Sequence, residues 1–598
     1  MTELAVPASY TIADDDSLSA TVYRYAQDAP HFVPFRRVVA GAWTDVTATQ
    51  FADEVTALAK GLIASGIKHG DRVALMSPTR YEWVALDFAI WTVGACTVAI
   101  YETSSADQAE WILSDSGSRM LIVASKEHAA VTRGVVDRLD NVGELLLLDD
   151  DRGAIDVLVE RGAQVADDEV TARRTAVRAA DAATLVYTSG TTGRPKGAQL
   201  THFNLLSEGA AASAALGDMM TEGKSTLLFL PLAHIFARAI SVGAFMSRIT
   251  VGHTADIANL VDHFAVFQPT FVLSVPRVFE KVYNTAKQKA EDGGKGKIFA
   301  AAEAAAIEWS KSLDTGGPGL LLNLKHTLFD KLVYSKLKAA LGGRCEAAVS
   351  GGGPLGARLG HFYRGIGVTI YEGYGLTETT AAVTVNTPQA QRIGSVGRPV
   401  EGCAVRTADD GEVLLKGNVV FGGYWNNATA TDDSIRDGWF HTGDLGKLDE
   451  DGYLFITGRK KEIIVTAAGK NVAPSGLEDS LRAHPLISQA MVVGDAKPFI
   501  AALITLDPEA APGWLERNGK PAGTSMATLA KDPDLVAEID SAVQTANAAV
   551  SRAEQVKKFS VLTTDFTVEG GELTPTLKLK RNVVTSTYAD DIEALYSK

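Results

Sequence analysis

The sequence predicts an α/β protein in which a large N-terminal domain of parallel β-sheets layered with helices carries a small β subdomain and is followed by an α+β C-terminal lid. Three observations carry this reading. At 598 residues the chain is several times a typical domain, so at least two domains and a large core are expected. Helical stretches such as Phe51 to Ser65 alternate with short β-rich runs, among them Arg72-Val-Ala-Leu-Met76 and Met120-Leu-Ile-Val123, as in parallel strands covered by helices. From Gly411 onward the texture changes to short strands separated by turn residues.

In chain order, the N-terminus Met1-Thr-Glu-Leu-Ala-Val-Pro7 has neither the basic nor the apolar region of an export signal. The apolar stretch Trp83 to Tyr101 contains Asp87 and Gly94. It passes from helix-like Trp83–Ile90 to strand-like Cys96–Ile100, which reads as a buried helix–strand unit and not a membrane span. Ala183-Thr-Leu-Val-Tyr187 reads as a short buried strand, and 294–312, rich in Ala and Lys, as a surface helix. Gly411–Lys416, Trp439–Thr442 and Tyr453–Ile456 are short strands, with Asp451-Gly452 marking a hairpin turn. Strands at Ala490–Val493 and Ile500–Ile504 and an Ala-rich helix from Leu535 to Ser551 complete the lid. The expected division is 1–459 for the large domain, with the β subdomain at about 400–457, a hinge at 460–461, and 462–598 for the small domain.

Composition excludes several classes. A hydrophobic content of 46% with 22% charge marks a soluble globular protein. The net charge of -15, without a local basic patch, argues against a nucleic-acid partner. Cys96, Cys345 and Cys403 are scattered singly, which suits core positions in a reducing cytoplasm.

The most informative stretch is Tyr187-Thr-Ser-Gly-Thr-Thr-Gly-Arg-Pro-Lys-Gly197. It cannot be a Walker A loop, because Gly190 and Gly193 are too close and Lys196 is followed by Gly197. Its hydroxyls, free backbone N–H groups and single lysine nevertheless suit a polyphosphate. The whole stretch resembles the signature loop of the acyl-adenylate-forming synthetase and luciferase superfamily. That resemblance implies nucleotide contacts from Thr188, Ser189, Gly190, Thr191, Thr192, Gly193 and Lys196.

A competing motif is Ser350-Gly-Gly-Gly-Pro-Leu-Gly356, which satisfies the dinucleotide fingerprint after the strand-like Glu346-Ala-Ala-Val349. Pro354 sits inside the turn, however, and the acidic residue downstream, Glu372, lies in another glycine-rich loop. By resemblance, Gly352, Gly353 and Pro354 form a wall of the adenine pocket instead. Tyr371-Glu-Gly-Tyr-Gly-Leu-Thr-Glu-Thr379 adds Glu372, Gly373, Tyr374 and Gly375 to the nucleotide site. Tyr374 offers adenine a flat face, Thr377 gives the α-phosphate a hydroxyl, and Glu378 is a hard oxygen ligand for Mg2+, with Thr191 as second ligand.

The resemblance extends further. In His441-Thr-Gly-Asp444 it implies ribose binding by Asp444; in Gly458-Arg-Lys-Lys461 it places Arg459 near ribose and phosphate and makes Lys461 the hinge. Gly469 is expected to line the pantetheine channel, in a loop one residue longer than the pattern. In Gly571-Glu-Leu-Thr-Pro-Thr-Leu-Lys-Leu-Lys-Arg581, alternation along an extended segment puts Lys578 and Lys580 on the same side. Lys578 is assigned catalysis, and Lys580 is the weaker candidate. The form Thr576-Leu-Lys578, with Leu230-Pro-Leu-Ala-His-Ile-Phe236 and Ser274–Lys281, resembles the long-chain acyl-CoA synthetase branch, in which His234 faces the acyl carboxylate.

The implied reaction joins a long-chain fatty acid to ATP, forming acyl-AMP and pyrophosphate, and then to coenzyme A, in a cytoplasmic enzyme with room for peripheral contact at the inner membrane face. Three rivals share parts of the pattern. A fatty-acyl-AMP ligase would pass its product to a carrier protein. A peptide-synthetase adenylation domain would carry a pocket aspartate where Leu232-Ala-His234 stands. A non-catalytic nucleotide sensor would have lost Lys578 or Glu378, and both are present.

Overall fold

The computed structural model of the protein describes residues 1–188, 194–574 and 577–597. Its central six-stranded sheet runs Glu144–Leu147, Met120–Val123, Arg72–Met76, Cys96–Ile100, Ala182–Thr188 and Lys196–Thr201, parallel except for the last strand. The largely apolar, buried character of Val73–Met76 and Cys96–Ile100, in which Thr97 is the one polar residue, follows from helices covering both faces. A five-stranded sheet begins with three parallel strands, Phe271–Ser274, Ala347–Ser350 and Thr369–Tyr374, and continues into Thr384–Val385 and Arg398–Pro399. The carboxyl ends of the three parallel strands deliver the Ser274, Ser350 and Tyr374 segments to one edge, where ligands bind in open parallel sheets.

The stretch Trp83 to Tyr101 is core, as its mixed period suggests. Asp87, buried in the helix Tyr81–Thr92, forms a two-pronged ion pair with the equally buried Arg238, whose Nε lies 2.8 Å from Asp87 Oδ2. Among the described residues no helix is long and apolar enough to cross a membrane.

Four sequence expectations need correction. The helix Gly296–Leu313 is not merely superficial: Phe299, Ala302, Ala305 and Ala306 are buried, because small alanines admit the helix Ala357–Gly365 at close range. The Ala-rich helix spans Pro533–Asn547 and stops short of Ser551, since the Asn547 side chain turns to bond both the N–H and the carbonyl of Val556. The β subdomain recruits the strand Glu3–Val6, which pairs with Cys403–Thr407 and is pinned by an Arg406–Glu3 ion pair of 2.6 Å. Finally, the segment around Lys578 is a tight turn, not an extended strand. Leu577 adopts φ 60° and its N–H bonds Thr574 O, while Thr574 N–H bonds Lys578 O.

Beyond Glu462 the chain folds around its own cores. One is built from Leu477, Ile487, Ile504, Trp514 and Ile539, and a second from Leu503, Phe566, Val584 and Leu595. We place the division between domains at the turn Lys460–Glu462. The two parts dock through the long helix Pro276–Asp292 of the large domain. From it Lys281 reaches Glu509 (2.8 Å), Gln288 bonds Ala510 O (3.1 Å), and Asp292 meets Arg517 (2.5 Å), while Arg277 bonds Ser488 Oγ (3.2 Å).

Candidate active site

One end of the cleft is built on two antiparallel strands, Ala182–Thr188 and Lys196–Thr201, whose pairing sets Thr188 opposite Lys196. The intervening candidates Ser189, Gly190, Thr191, Thr192 and Gly193 lie outside the described residues. Lys196 Nζ stands 5.1 Å from the centre of the Tyr424 ring, a cation–π contact. The Tyr424 hydroxyl in turn donates to Glu378 Oε1 at 2.7 Å. Glu378 sits in the short turn Thr377–Thr379 with its backbone carbonyl accepting from Phe421 N–H, so both its main chain and its side chain are held. Thr377, at the start of that turn, is partly exposed.

The donor set fits magnesium rather than a structural metal. Among the described residues no three His, Cys, Asp or Glu side chains cluster as a cage. Glu378 supplies one carboxylate anchored by Tyr424, and Mg2+ commonly takes one or two carboxylates with the remainder from substrate phosphates and water.

At the other end, Tyr374 and Arg459 converge on Asp444. The phenol donates to Oδ2 at 2.6 Å and Arg459 Nε donates to Oδ1 at 2.9 Å, while Asp444 N–H bonds Thr442 Oγ1 at 3.0 Å. Burial, followed by the Asp444 charge, raises the Tyr374 phenol well above its ordinary range, so it remains a donor. Each Asp444 oxygen keeps a lone pair for a further hydroxyl. Gly375 is dictated by sterics, because a side chain there would overlap the Ala381 carbonyl.

The loop Gly352, Gly353, Pro354 follows the strand Ala347–Ser350, and Gly352 adopts φ 80°, which only glycine takes readily. Glu372 lies behind this loop. It is buried, its Oε1 accepts the Leu355 N–H at 2.9 Å, and burial raises its carboxyl to about 7 against the lowering effect of that bond. It therefore braces the glycine loop. Gly373 runs beside it, with the Thr384 carbonyl 3.1 Å from where a Cβ would stand.

Lys578 comes from the small domain and reaches this loop: its Cε would lie 3.9 Å from a Cβ on Gly352. Protein surrounds the side chain while its surface opens on the cleft. This crowding lowers the ammonium below the ordinary lysine range, helped by the charge of Arg459 and opposed by Asp444, Glu378 and Glu462. Lys580 is engaged elsewhere, since its N–H bonds Glu572 O and its carbonyl receives the first N–H groups of the helix Arg581–Thr587. Arg581 anchors the same turn by pairing with Glu478 and Glu462.

His234 caps the helix Ile235–Met246 by accepting Phe236 N–H at Nδ1 (3.2 Å), which leaves any ring proton on Nε2. Burial, then the nearby Lys578 charge, pushes the imidazole down to about 3. It is neutral at physiological pH. The Phe236 ring closes against the glycine loop, 2.9 Å from where a Cβ on Gly351 would stand.

Two candidates stand apart from this cluster. Lys461 is exposed in the Lys460–Glu462 turn, beside Lys460, which pairs with Asp410 (2.6 Å) and Glu412 (3.2 Å). Gly469 sits at φ 76° in the turn joining Ile464–Val465 to Asn471–Val472, with open space where a Cβ would be. Sequence reasoning missed Tyr424 and Glu462. The only local signal for Tyr424 is the pair Gly422-Gly423 before it, and its partner Glu378 is 46 residues distant.

Comparison with known proteins shows the family and the fold. Residues 20–425 match the family model described as AMP-binding enzyme, and 461–598 match the AMP-binding enzyme C-terminal domain. The chain is 57% identical to the long-chain-fatty-acid–CoA ligase FadD15 of Mycobacterium tuberculosis, covering 100% of both chains. It is 30% identical to the long-chain-fatty-acid–CoA ligase ACSBG2 of Xenopus laevis, over 93% of this chain and 80% of that one. In fold it is similar to an anthranilate CoA ligase solved with anthranoyl-AMP, at a TM-score of 0.71 and 20% identity, covering 96% of this chain and 98% of the other. It is similar likewise to the o-succinylbenzoate coenzyme A synthetase of Bacillus subtilis solved with ATP and magnesium, at a TM-score of 0.66 and 22% identity, covering 94% of this chain and 98% of the other.

Proposed function

The chain belongs to the AMP-binding enzyme family, on the branch of long-chain-fatty-acid–CoA ligases, and we propose that the cleft beneath Lys578 carries out both half-reactions of fatty acid activation. The acid first attacks the α-phosphorus of ATP, forming acyl-AMP and releasing pyrophosphate. The coenzyme A thiol then attacks the acyl carbonyl and AMP leaves. A carboxylate is a poor acyl donor because it is anionic and its oxygen is a poor leaving group; adenylation removes both obstacles.

The single observation that carries the reading is the reach of Lys578 from the small domain to the glycine loop, above Asp444, Arg459 and Glu378. There its charge opposes the negative charge that builds on the phosphate in the transition state, in a site already organised to receive it. Asp444, held by Tyr374 and Arg459, offers its free lone pairs to the ribose hydroxyls. Gly352, Gly353 and Pro354, braced by Glu372, flank the base. Thr377 and the ends of the phosphate loop, Thr188 and Lys196, face the phosphates. Glu378 would hold Mg2+, which when bound neutralises phosphate charge. Neutral His234 presents the acyl carboxylate with a hydrogen-bond donor and not a cation.

Lys578 cannot serve both steps from this position without blocking the thiol's approach. Rotation of the small domain about Lys461 withdraws it, and the Gly469 turn then lines the pantetheine path. The enzyme works in the cytoplasm with peripheral contact at the inner membrane face. The deciding experiment measures ATP-dependent pyrophosphate release with short, medium and long fatty acids, with and without coenzyme A. Long acids should give the highest kcat/KM, and coenzyme A should consume the adenylate. Preference for acetate, or release unaffected by coenzyme A, would overturn the assignment.

A further inference from the structure

The helix Leu320–Phe329 and the turn of π-helix that extends it, Asp330–Tyr334, present an exposed outer face that none of the described residues covers. Leu320, Leu324, Leu328 and Leu332 recur every four residues, which aligns them along one side, and Leu321 widens the stripe. Leu320 and Leu321 are 84% and 85% exposed and Leu324 is 69% exposed, values far from those of a core helix. A contiguous apolar face of this kind marks an interaction surface.

The outward aim of these leucines is imposed by the inner face. His326 is held in a fixed pose, with its Nε2–H donating to Gly365 O at 2.6 Å and its ring stacked on Trp309 at 4.4 Å. The Trp309 indole N–H in turn bonds Asn323 Oδ1 at 3.0 Å. With that side pinned, the leucines cannot turn inward without breaking the anchors.

Charge identifies the occupant. Lys325, Lys331 and Lys336 are exposed along the same segment, and among the described residues none lies within ion-pairing distance of a carboxylate. In a protein of net charge -15 this is a local reversal of sign. Lysines bordering an apolar helical stripe place their ammonium groups at lipid headgroups while leucines enter the acyl boundary. A second copy fits less well, because a two-fold contact through this face would set the same lysines against each other.

We propose that Leu320–Leu332 is a membrane-docking face that seats the enzyme on a bilayer rich in anionic lipid. Docking by this face would also deliver an acyl chain dissolved in the bilayer; that second clause rests on the function proposed above, whereas the docking itself does not.

The test is co-sedimentation of the full chain with vesicles of phosphatidylcholine alone and of phosphatidylcholine mixed with phosphatidylglycerol. The wild type should bind the mixed vesicles and bind the neutral ones weakly. Joint replacement Leu320→Ser, Leu321→Ser and Leu324→Ser should reduce binding at least tenfold. Lys325→Glu, Lys331→Glu and Lys336→Glu together should erase the anionic preference, given about fivefold per lysine at such a surface. Both variants should turn over dispersed octanoate as the wild type does, and lose rate on palmitate supplied in vesicles. Unchanged vesicle binding by both variants would overturn the proposal. So would loss of a dimer in sedimentation velocity of the leucine variant without vesicle binding by the wild type, an outcome that assigns the face to a second copy. Vesicle binding that depends on the face, with no effect on palmitate turnover, would retain docking and refute only the delivery clause.

Discussion

Replacing Lys578 by Ala separates the two half-reactions most sharply. The structure sets its ammonium beside the glycine loop, in a crowded cleft whose nearest charges are Arg459, Asp444, Glu378 and Glu462. A unit charge about 4 Å from developing phosphate charge, at an effective dielectric near 20, is worth roughly 4 kcal/mol. Mutational losses of comparable transition-state donors run to about 10²–10³ in rate. Adenylation, read as fatty-acid-dependent ATP–pyrophosphate exchange, should therefore fall by about 10³. The second half-reaction, read as thioester formation from synthetic acyl-AMP and coenzyme A, should stay within about threefold of wild type, since no phosphate charge builds there for Lys578 to oppose. Lys580→Ala should leave both near wild type, because the Lys580 backbone, not its side chain, makes the contacts at the helix start. Equal loss of both half-reactions in Lys578→Ala, or a Lys580→Ala loss of similar size, would refute the assignment.

Three further outcomes are expected. Lys281→Glu sets like charges together at Glu509 and weakens the docking of the small domain in the adenylating pose; an exposed pair of this kind is worth about 0.2–1 kcal/mol, so adenylation should drop by a factor of roughly two to five, less at high salt, with the thioester step spared. Tyr424→Phe removes the donor to Glu378 while keeping the ring under Lys196, so the apparent KM for magnesium–ATP should rise several-fold with little change in Tm, and an unchanged KM at limiting magnesium would show that Glu378 needs no such anchor. Because Lys578 must be protonated to act and its folded pKa is depressed by burial and Arg459, kcat/KM for adenylation should decline on the alkaline side at a lower pH than an ordinary lysine would give; His234, held down to about 3, should add no inflection between pH 6 and 8. A pH-rate profile of the free enzyme against that of Lys578→Arg checks both statements.

Much of this protein is settled by local chemistry. The alternation of helical runs with largely apolar strands such as Cys96–Ile100 announces a parallel sheet, since strands covered on both faces lose the polar alternation of a half-exposed strand. Asp451-Gly452 announces its hairpin because Gly452 takes φ 84° at no steric cost. The run from Tyr187 to Gly197 and the Tyr374–Glu378 segment point to a nucleotide site through their resemblance to the adenylate-forming pattern, and that resemblance names Glu378, Asp444 and Lys578 as candidates.

What the sequence left open is how those groups meet. Tyr374 and Arg459 close on one carboxylate from positions 70 and 15 residues away, and Tyr424 reaches Glu378 across 46. Glu372 turns back to accept the Leu355 N–H from a loop 17 residues earlier. The strand Glu3–Val6 completes a sheet 400 residues downstream because an edge of unpaired backbone groups awaited it there, a vacancy no local pattern records. Between Lys578 and Lys580 alternation makes no distinction and only the family resemblance prefers Lys578; the physical reason is tertiary, since the turn at Leu577, with φ 60°, presents one to the cleft and commits the backbone of the other to a helix. Side-chain chemistry and short-range periodicity are properties of neighbouring residues and can be read along the chain; convergence depends on which surfaces pack, and packing is decided only when the whole chain has folded.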